Sequence, residues 1–313
     1  MKTENFKKKV GLLSIFLLLT TASCSIKKFA LKKAADALTG EAGSSNVFLT
    51  DNDPELVGDA LPFTIKMYES LMASIPEHYG LRLQTGMLYI MYANVYIQAP
   101  AEQLPDLEFD KKEFMLNRAK NLYLRGRDTV LEALEMKYSG FLENLQAEQY
   151  GRALSNVDAK DVPALYWASA GWVAAFSIDP FDMKLGITLP QAEAIMKKVL
   201  ELDEDFNNGS VHDFFILYYG SIPDYMGGSP KKAREHFKKA VKLSQGRSAS
   251  PYLSLASTVS VKEQNSKEFK ALLHQALQID PDDFPALRLQ NTIHQRKAKW
   301  MLEHMEDYFV EIN

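Results

Sequence analysis

From Asp53 onwards, apolar residues recur at three- and four-residue intervals, as in helices with one buried stripe. No long alternating Val/Ile/Thr run interrupts them, so strand signals are nearly absent. Caps and prolines bound the elements. Asp53-Pro54-Glu55 opens a helix reaching about Ala73, closed by Ile75-Pro76. Leu81 to Gln98 is a second, with Pro100 as its expected stop, and Phe109 to about Lys137 is a long third. Ser139 to Leu154 holds one or two short pieces. Asp161-Val162-Pro163 opens a helix to Ser177, and Leu189-Pro190 opens another to Leu202. Val211 to about Gly220, Ser229-Pro230 to Leu243, Ser250-Pro251 to Val261, Ser266 to Ile279 and Pro285 to Phe309 complete an all-α pattern.

The first fifty residues read differently. Met1 to Lys9 carries Lys2, Lys7, Lys8 and Lys9, and Val10 to Thr20 is almost wholly apolar. Thr21-Ala22-Ser23 then precedes Cys24, the only cysteine of the chain. A basic start, a short apolar run and small residues make a secretory signal over residues 1–23. The run is too short to span a bilayer core, which needs about 20 residues. Cys24 sits as in a bacterial lipobox, although Thr21 stands where such boxes usually have Leu. Cleavage before Cys24 and lipidation of its thiol and new amino group are expected. Ser25 then implies the outer membrane under the common sorting rule. Residues 24–50 read as a lipid-attached tether, with a short amphipathic helix around Leu31 and a loop at Glu41–Asn46.

Internal repeats refine the fold class of residues 51–313. Ala233-x3-Phe237-x2-Ala240 has the small-large-small spacing of a tetratricopeptide second helix, and Phe269-x3-Leu273-x2-Ala276 has it with one swap. Ala192-x3-Met196-x2-Val199 and Ala119-x3-Tyr123-x2-Gly126 are weaker versions. Trp167-x2-Ala170-Gly171 fits the first helix. The expected architecture is a tetratricopeptide-repeat-like array of about four degenerate antiparallel helix pairs with flanking terminal helices, an irregular helical bundle being the rival.

Charge narrows the function. The chain carries 36 Lys and Arg against 40 Asp and Glu, and removal of residues 1–23 takes its net charge from −4 to −7. An acidic domain argues against nucleic acid as partner and against a basic membrane-surface patch.

Four stretches carry a family resemblance: Asn117 to Asp128, Val162 to Ser177, Gly228 to Tyr252 and Gln290 to His304, with Asp53 to Phe63 before them. The chain resembles the T-component (TatT) family of tripartite ATP-independent periplasmic (TRAP) transporters. The resemblance implies a periplasm-facing lipoprotein of tetratricopeptide architecture and a homotrimer. It also implies association with the solute-binding P subunit and help in delivering a small, apolar organic acid. The rivals are a general tetratricopeptide scaffold for envelope assembly and a surface glycan-binding lipoprotein.

No catalytic set, cofactor motif or metal site is legible. His78, His212, His236, His274, His294 and His304 form no H-E-x-x-H, and Cys24 is assigned to the anchor. The expected role is therefore non-enzymatic. The aromatic and sulfur-bearing residues are more informative. Met87, Ile90 and Met91, then Trp172 and Phe176, then Phe214, Leu217 and Tyr225 are the expected lining of an apolar groove, though such stripes are also what packed core looks like. Of the two tryptophans on one helix, Trp167 is expected to pack and Trp172 to face the groove. Arg125, Arg127 and Arg247 are the candidates to meet a ligand carboxylate, with an ion pair to Asp128 or another acid as the plainer role.

Overall fold

The computed structural model describes residues 27–40 and 45–311; the signal segment 1–23 and Cys24 lie outside the described residues. Among the described residues every regular element is helical. None of these helices is long and apolar enough to cross a membrane.

The segment expected as a tether is partly built into the domain. Residues 27–39 form helix α1, whose Leu31, Ala35 and Leu38 pack on the next helices, Ala35 being fully buried. A short α2 (Ser45–Leu49) follows. Asp53 accepts from Leu56 N at 3.0 Å and starts α3 (Pro54–Ser74). His78 caps α4 (Tyr79–Tyr92) by accepting from Leu81 N through Nδ1 at 3.1 Å, while its Nε2 meets Asp36 of α1 at 3.1 Å.

Pro100 does not stop the second helix as expected. The backbone widens into π turns over Ala93–Gln98 and continues as α5 (Ala99–Glu102). Ala99 N–H then bonds to Asn94 O, five residues back, so the helix passes a residue that has no N–H to give. The wide turn also brings two side chains onto Tyr123: Asn94 Nδ2 donates to its hydroxyl at 3.0 Å, and that hydroxyl donates to Gln98 at 2.6 Å.

The long α6 (Phe109–Lys137) lies between α4 and α9 (Val162–Ile178). Glycines permit the approach. A Cβ on Gly126 would sit 2.7 Å from Gly86 O, and one on Gly171 would sit 2.7 Å from Ile90 Cδ1. The short α7 (Phe141–Gln146) and α8 (Tyr150–Ala153) lead back to α9. Asp161 fixes that junction. Fully buried, it accepts from Lys137 Nζ at 2.6 Å, Tyr138 OH at 2.6 Å and Asp158 N at 3.0 Å.

Three hairpins follow. In the first, α9 pairs with α10 (Met183–Leu202), which starts seven residues before the expected Pro190. Asp182 accepts from Lys184 N and Leu185 N, so the cap, not the proline, sets the start. In the second, α11 (Phe206–Ser221) pairs with α12 (Pro230–Leu243). Asn207, Asn208 and Gly209 are left-handed, with φ of 47°, 58° and 87°, and the regular helix begins after them. In the third, α13 (Ser250–Leu255) widens over Ala256–Ser260 and pairs with α14 (Ser266–Leu277). The small residues of the repeat pattern, Ala119, Ala192, Ala233, Ala240 and Ala276, are all fully buried.

The expected last helix is broken into a turn at Pro285–Leu287, α15 (Arg288–Glu303) and a second turn at Met305–Asp307. Phe309 then folds back onto Phe269, their ring centroids 5.0 Å apart. The last helix returns to the first ones. Arg296 pairs with Glu55 of α3, Lys297 Nζ lies 2.9 Å from Glu102 of α5, and Leu289 shares a core with Val57 and Leu61.

Candidate functional site

The first helices of the three hairpins, α9, α11 and α13, lie side by side, with α10, α12 and α14 packed behind them. On this front layer one stripe stays partly open. It takes Trp167, Ala170 and Ala174 from α9, and Ser210, Asp213 and Leu217 from α11, at the three- and four-residue spacing of one helix face. Tyr166 links the two helices against Phe206, at 5.2 Å between ring centroids. A carboxyl lies within this largely apolar stripe. Ser250 of α13 donates its hydroxyl to Asp213 Oδ2, while Oδ1 has no hydrogen-bond partner among the described residues. Burial raises the Asp213 pKa above its ordinary value.

Trp172 is placed differently from expectation. It is 5% exposed and turned toward α10, where its Nε1 donates to Thr188 Oγ1 at 2.9 Å, and the Arg127 guanidinium lies 4.6 Å over its ring. Phe176, one turn on, is 6% exposed. Trp167 is the more exposed of the two tryptophans, the reverse of the sequence assignment. The physical reason is that α10 and Arg127 cover Trp172, through Thr188 and the guanidinium over its ring, whereas Trp167 is only partly covered, edge-on to Tyr166.

The other expected residues do not converge. Met87 and Met91 are partly buried on α4, Phe214 is 5% exposed and packs edge-on to Phe215, and Tyr225 stands out at 88% exposure. Arg125 pairs with Glu69 and lies 4.7 Å over the Tyr89 ring. Arg127 donates Nε to Asp128 at 2.7 Å. Arg247 makes no ion pair among the described residues. It lines a cavity of about 370 Å³ with Tyr252, Gln275, Gln278, Asp280 and Asp283, apart from the front stripe.

Sequence reasoning missed two features. One is Asp213, for which the signal was an acid inside the apolar run Val211–Tyr219. The other is a histidine pair. His212 Nε2 donates to Glu204 at 3.0 Å, which leaves its Nδ1 to accept from His236 Nδ1 at 2.8 Å. Lys239 also reaches Glu204, at 2.8 Å. Burial lowers the pKa of both rings, that of His236 to about 4. A spacing of 24 residues gave no hint of this contact. Among the described residues no group of three or more His, Cys, Asp or Glu side chains is arranged to hold a metal ion.

Two comparisons with known proteins bear on these features. The family model described as TRAP transporter T-component matches residues 50–309. An uncharacterized protein of Treponema pallidum (strain Nichols) is 31% identical over 307 residues, spanning 94% of this chain and 95% of that protein.

Proposed function

Because the chain belongs to the TRAP transporter T-component family, we propose that it is the lipid-anchored, periplasm-facing component that docks the solute-binding P subunit and forms part of the path of a small apolar organic acid. As a T-component it serves a TRAP transport system of the cell envelope. The family match over residues 50–309 carries this reading. The open stripe of α9 and α11 supports the path: Trp167, Ala170, Ala174 and Leu217 offer apolar surface, with Asp213 as the one acid among them. This path runs in front of Trp172, which is turned toward α10, and of the buried Phe176. Of the three arginines, Arg247, which lines its own cavity and lies over the Phe284 ring, is the one without an acid partner among the described residues, since Arg125 and Arg127 face Glu69 and Asp128.

Residues 1–23 act as the export signal in this reading, Cys24 carries the acyl chains, and the outer membrane is the favoured location. The domain assembles as a homotrimer and performs no catalysis. The test is titration of the purified P subunit, with and without apolar organic acids, against the mature protein. Saturable binding of both partners, weakened by Asp213→Ala or Arg247→Ala, supports the reading. Binding of envelope proteins with no acid binding and no P-subunit binding favours a general scaffold instead. Sedimentation giving only monomer removes the trimer.

A further inference from the structure

Helix α1 has two faces of opposite character. Leu31, Ala35 and Leu38 form the packed stripe, at the spacing of one helix face. The helix is also pinned by polar contacts: Tyr68 OH donates to Leu38 O at 3.2 Å, and Asp36 meets His78 at 3.1 Å. Most of its other residues are exposed. Lys27, Lys28, Lys32 and Lys33 are all exposed, and Phe29 is 63% exposed with Lys33 Nζ 5.9 Å from its ring centroid. Phe29 lies two residues before Leu31, about 200° around the helix, so it projects opposite the packed stripe.

The charge distribution sets this helix apart. Residues 27–39 carry four lysines and one acid, a net charge of +3, whereas residues 40–313 carry 28 basic and 38 acidic residues, a net charge of −10. Among the described residues these four lysines make one ion pair, a long one from Lys33 Nζ to Asp36 at 3.7 Å. An outward aromatic flanked by lysines is the pattern of a helix that lies on an anionic membrane surface, with the ring entering the headgroup layer and the ammonium groups on phosphates.

Chain connectivity supplies the occupant. Only Ser25 and Ile26 separate Cys24 from Lys27, and three extended steps of chain cover at most about 10 Å. We propose that α1 is a membrane-docking element. On this view Lys27, Lys28, Lys32 and Lys33 bind anionic phospholipid headgroups of the leaflet holding the acyl chains, and Phe29 enters that leaflet. The inference rests on the lipid anchor at Cys24 proposed above. Because α1 is packed on α3 and α4, its docking fixes the orientation of the whole helical domain to the membrane rather than leaving it on a loose leash.

The test uses the mature lipidated protein carrying Phe29→Trp, reconstituted into vesicles with brominated acyl chains. The signal of Trp167, Trp172 and Trp300 is subtracted with the unsubstituted protein. Each lysine at an anionic leaflet adds on the order of a fivefold preference for the surface. Trp emission at position 29 is therefore expected to be quenched in phosphatidylglycerol vesicles and much less in phosphatidylcholine vesicles. Lys32→Glu with Lys33→Glu, both exposed and compatible with the fold, should lower the docked population more than about twentyfold. Circular dichroism of that variant verifies the fold. Incorporation into vesicles with equal, weak quenching in both lipids overturns the docking proposal and leaves the anchor intact. Failure to enter vesicles at all overturns both.

Discussion

The crossing of α4 and α6 allows a worked prediction, Gly126→Ala. Alanine favours a helix over glycine by about 1 kcal/mol, so an exposed position would gain stability. At Gly126 the new Cβ would lie 2.7 Å from Gly86 O, 2.7 Å from Ile90 Cγ1 and 3.1 Å from Tyr89 Cβ. An ordinary carbon-to-carbonyl approach is about 3.3–3.6 Å. The obstacle is backbone, which cannot rotate away, so the two helices must separate by roughly 0.6 Å or more. Overpacking of this kind costs about 1–3 kcal/mol, and a backbone clash belongs at the upper end. The net effect is a loss of about 2 kcal/mol, or a fall in Tm of about 4–8 °C for a domain of this size. Urea and thermal unfolding measure it. Gly151→Ala is the matched control. Gly151 lies in a short exposed helix with nothing within 4 Å of its added Cβ, so that change should be neutral or stabilising. Gly86→Ala combined with Gly126→Ala should cost less than the sum, because one separation relieves both contacts. A Gly126→Ala protein as stable as the parent would refute the argument that this crossing is limited by backbone contact.

Three further outcomes are expected. The histidine pair should make stability fall with acid: folding depresses the pKa of His236 from 6.5 to about 4, so the unfolded chain binds more protons in that range, and stability present above about pH 6.5 is lost toward about pH 4. His236→Gln should flatten the pH dependence of Tm there, and an unchanged slope would remove the pair as its source. Asp161→Asn should destabilise by roughly 2–4 kcal/mol in urea unfolding, since Lys137 and Tyr138 lose a buried carboxylate partner. Trp172→Ala should cost about 3–5 kcal/mol, while Trp167→Ala should cost less and weaken binding of an apolar acid; the reverse order would return the path to the face behind Trp167.

Much of the helix order was readable because local chemistry decided it. Asp53-Pro54 and Ser229-Pro230 are caps that act within one turn, and α6 has the expected bounds because no breaker interrupts its pattern. Pro100 and Pro190 misled for one reason. A proline forbids one hydrogen bond, but a wide turn before it or a strong cap upstream can carry the helix past. The candidate site was less legible, because helical spacing gives the faces of α9 without saying which face has a neighbour. Only the arrival of Thr188 and Arg127 settles that Trp172 is covered. The partner of Arg127 is the adjacent Asp128, whereas Glu69 lies 56 residues before Arg125 and no local pattern announces it.

The return of α15 to α3 and α5 changes how the molecule can come apart. In an open helical array the terminal units fray first, and each unit depends only on its neighbours. Here Glu55 of α3 and Arg296 of α15, 241 positions apart, pair with each other, and Leu289 of α15 shares a core with Val57 and Leu61 of α3, so the last helix covers an early one. Backbone amides of α3 and α15 should therefore exchange with solvent together, at a protection close to that of the centre. The order of synthesis matters for the same reason. Val57 and Leu61 lack part of their cover until Leu289 arrives, so the earliest helices of the chain are completed by the last one made.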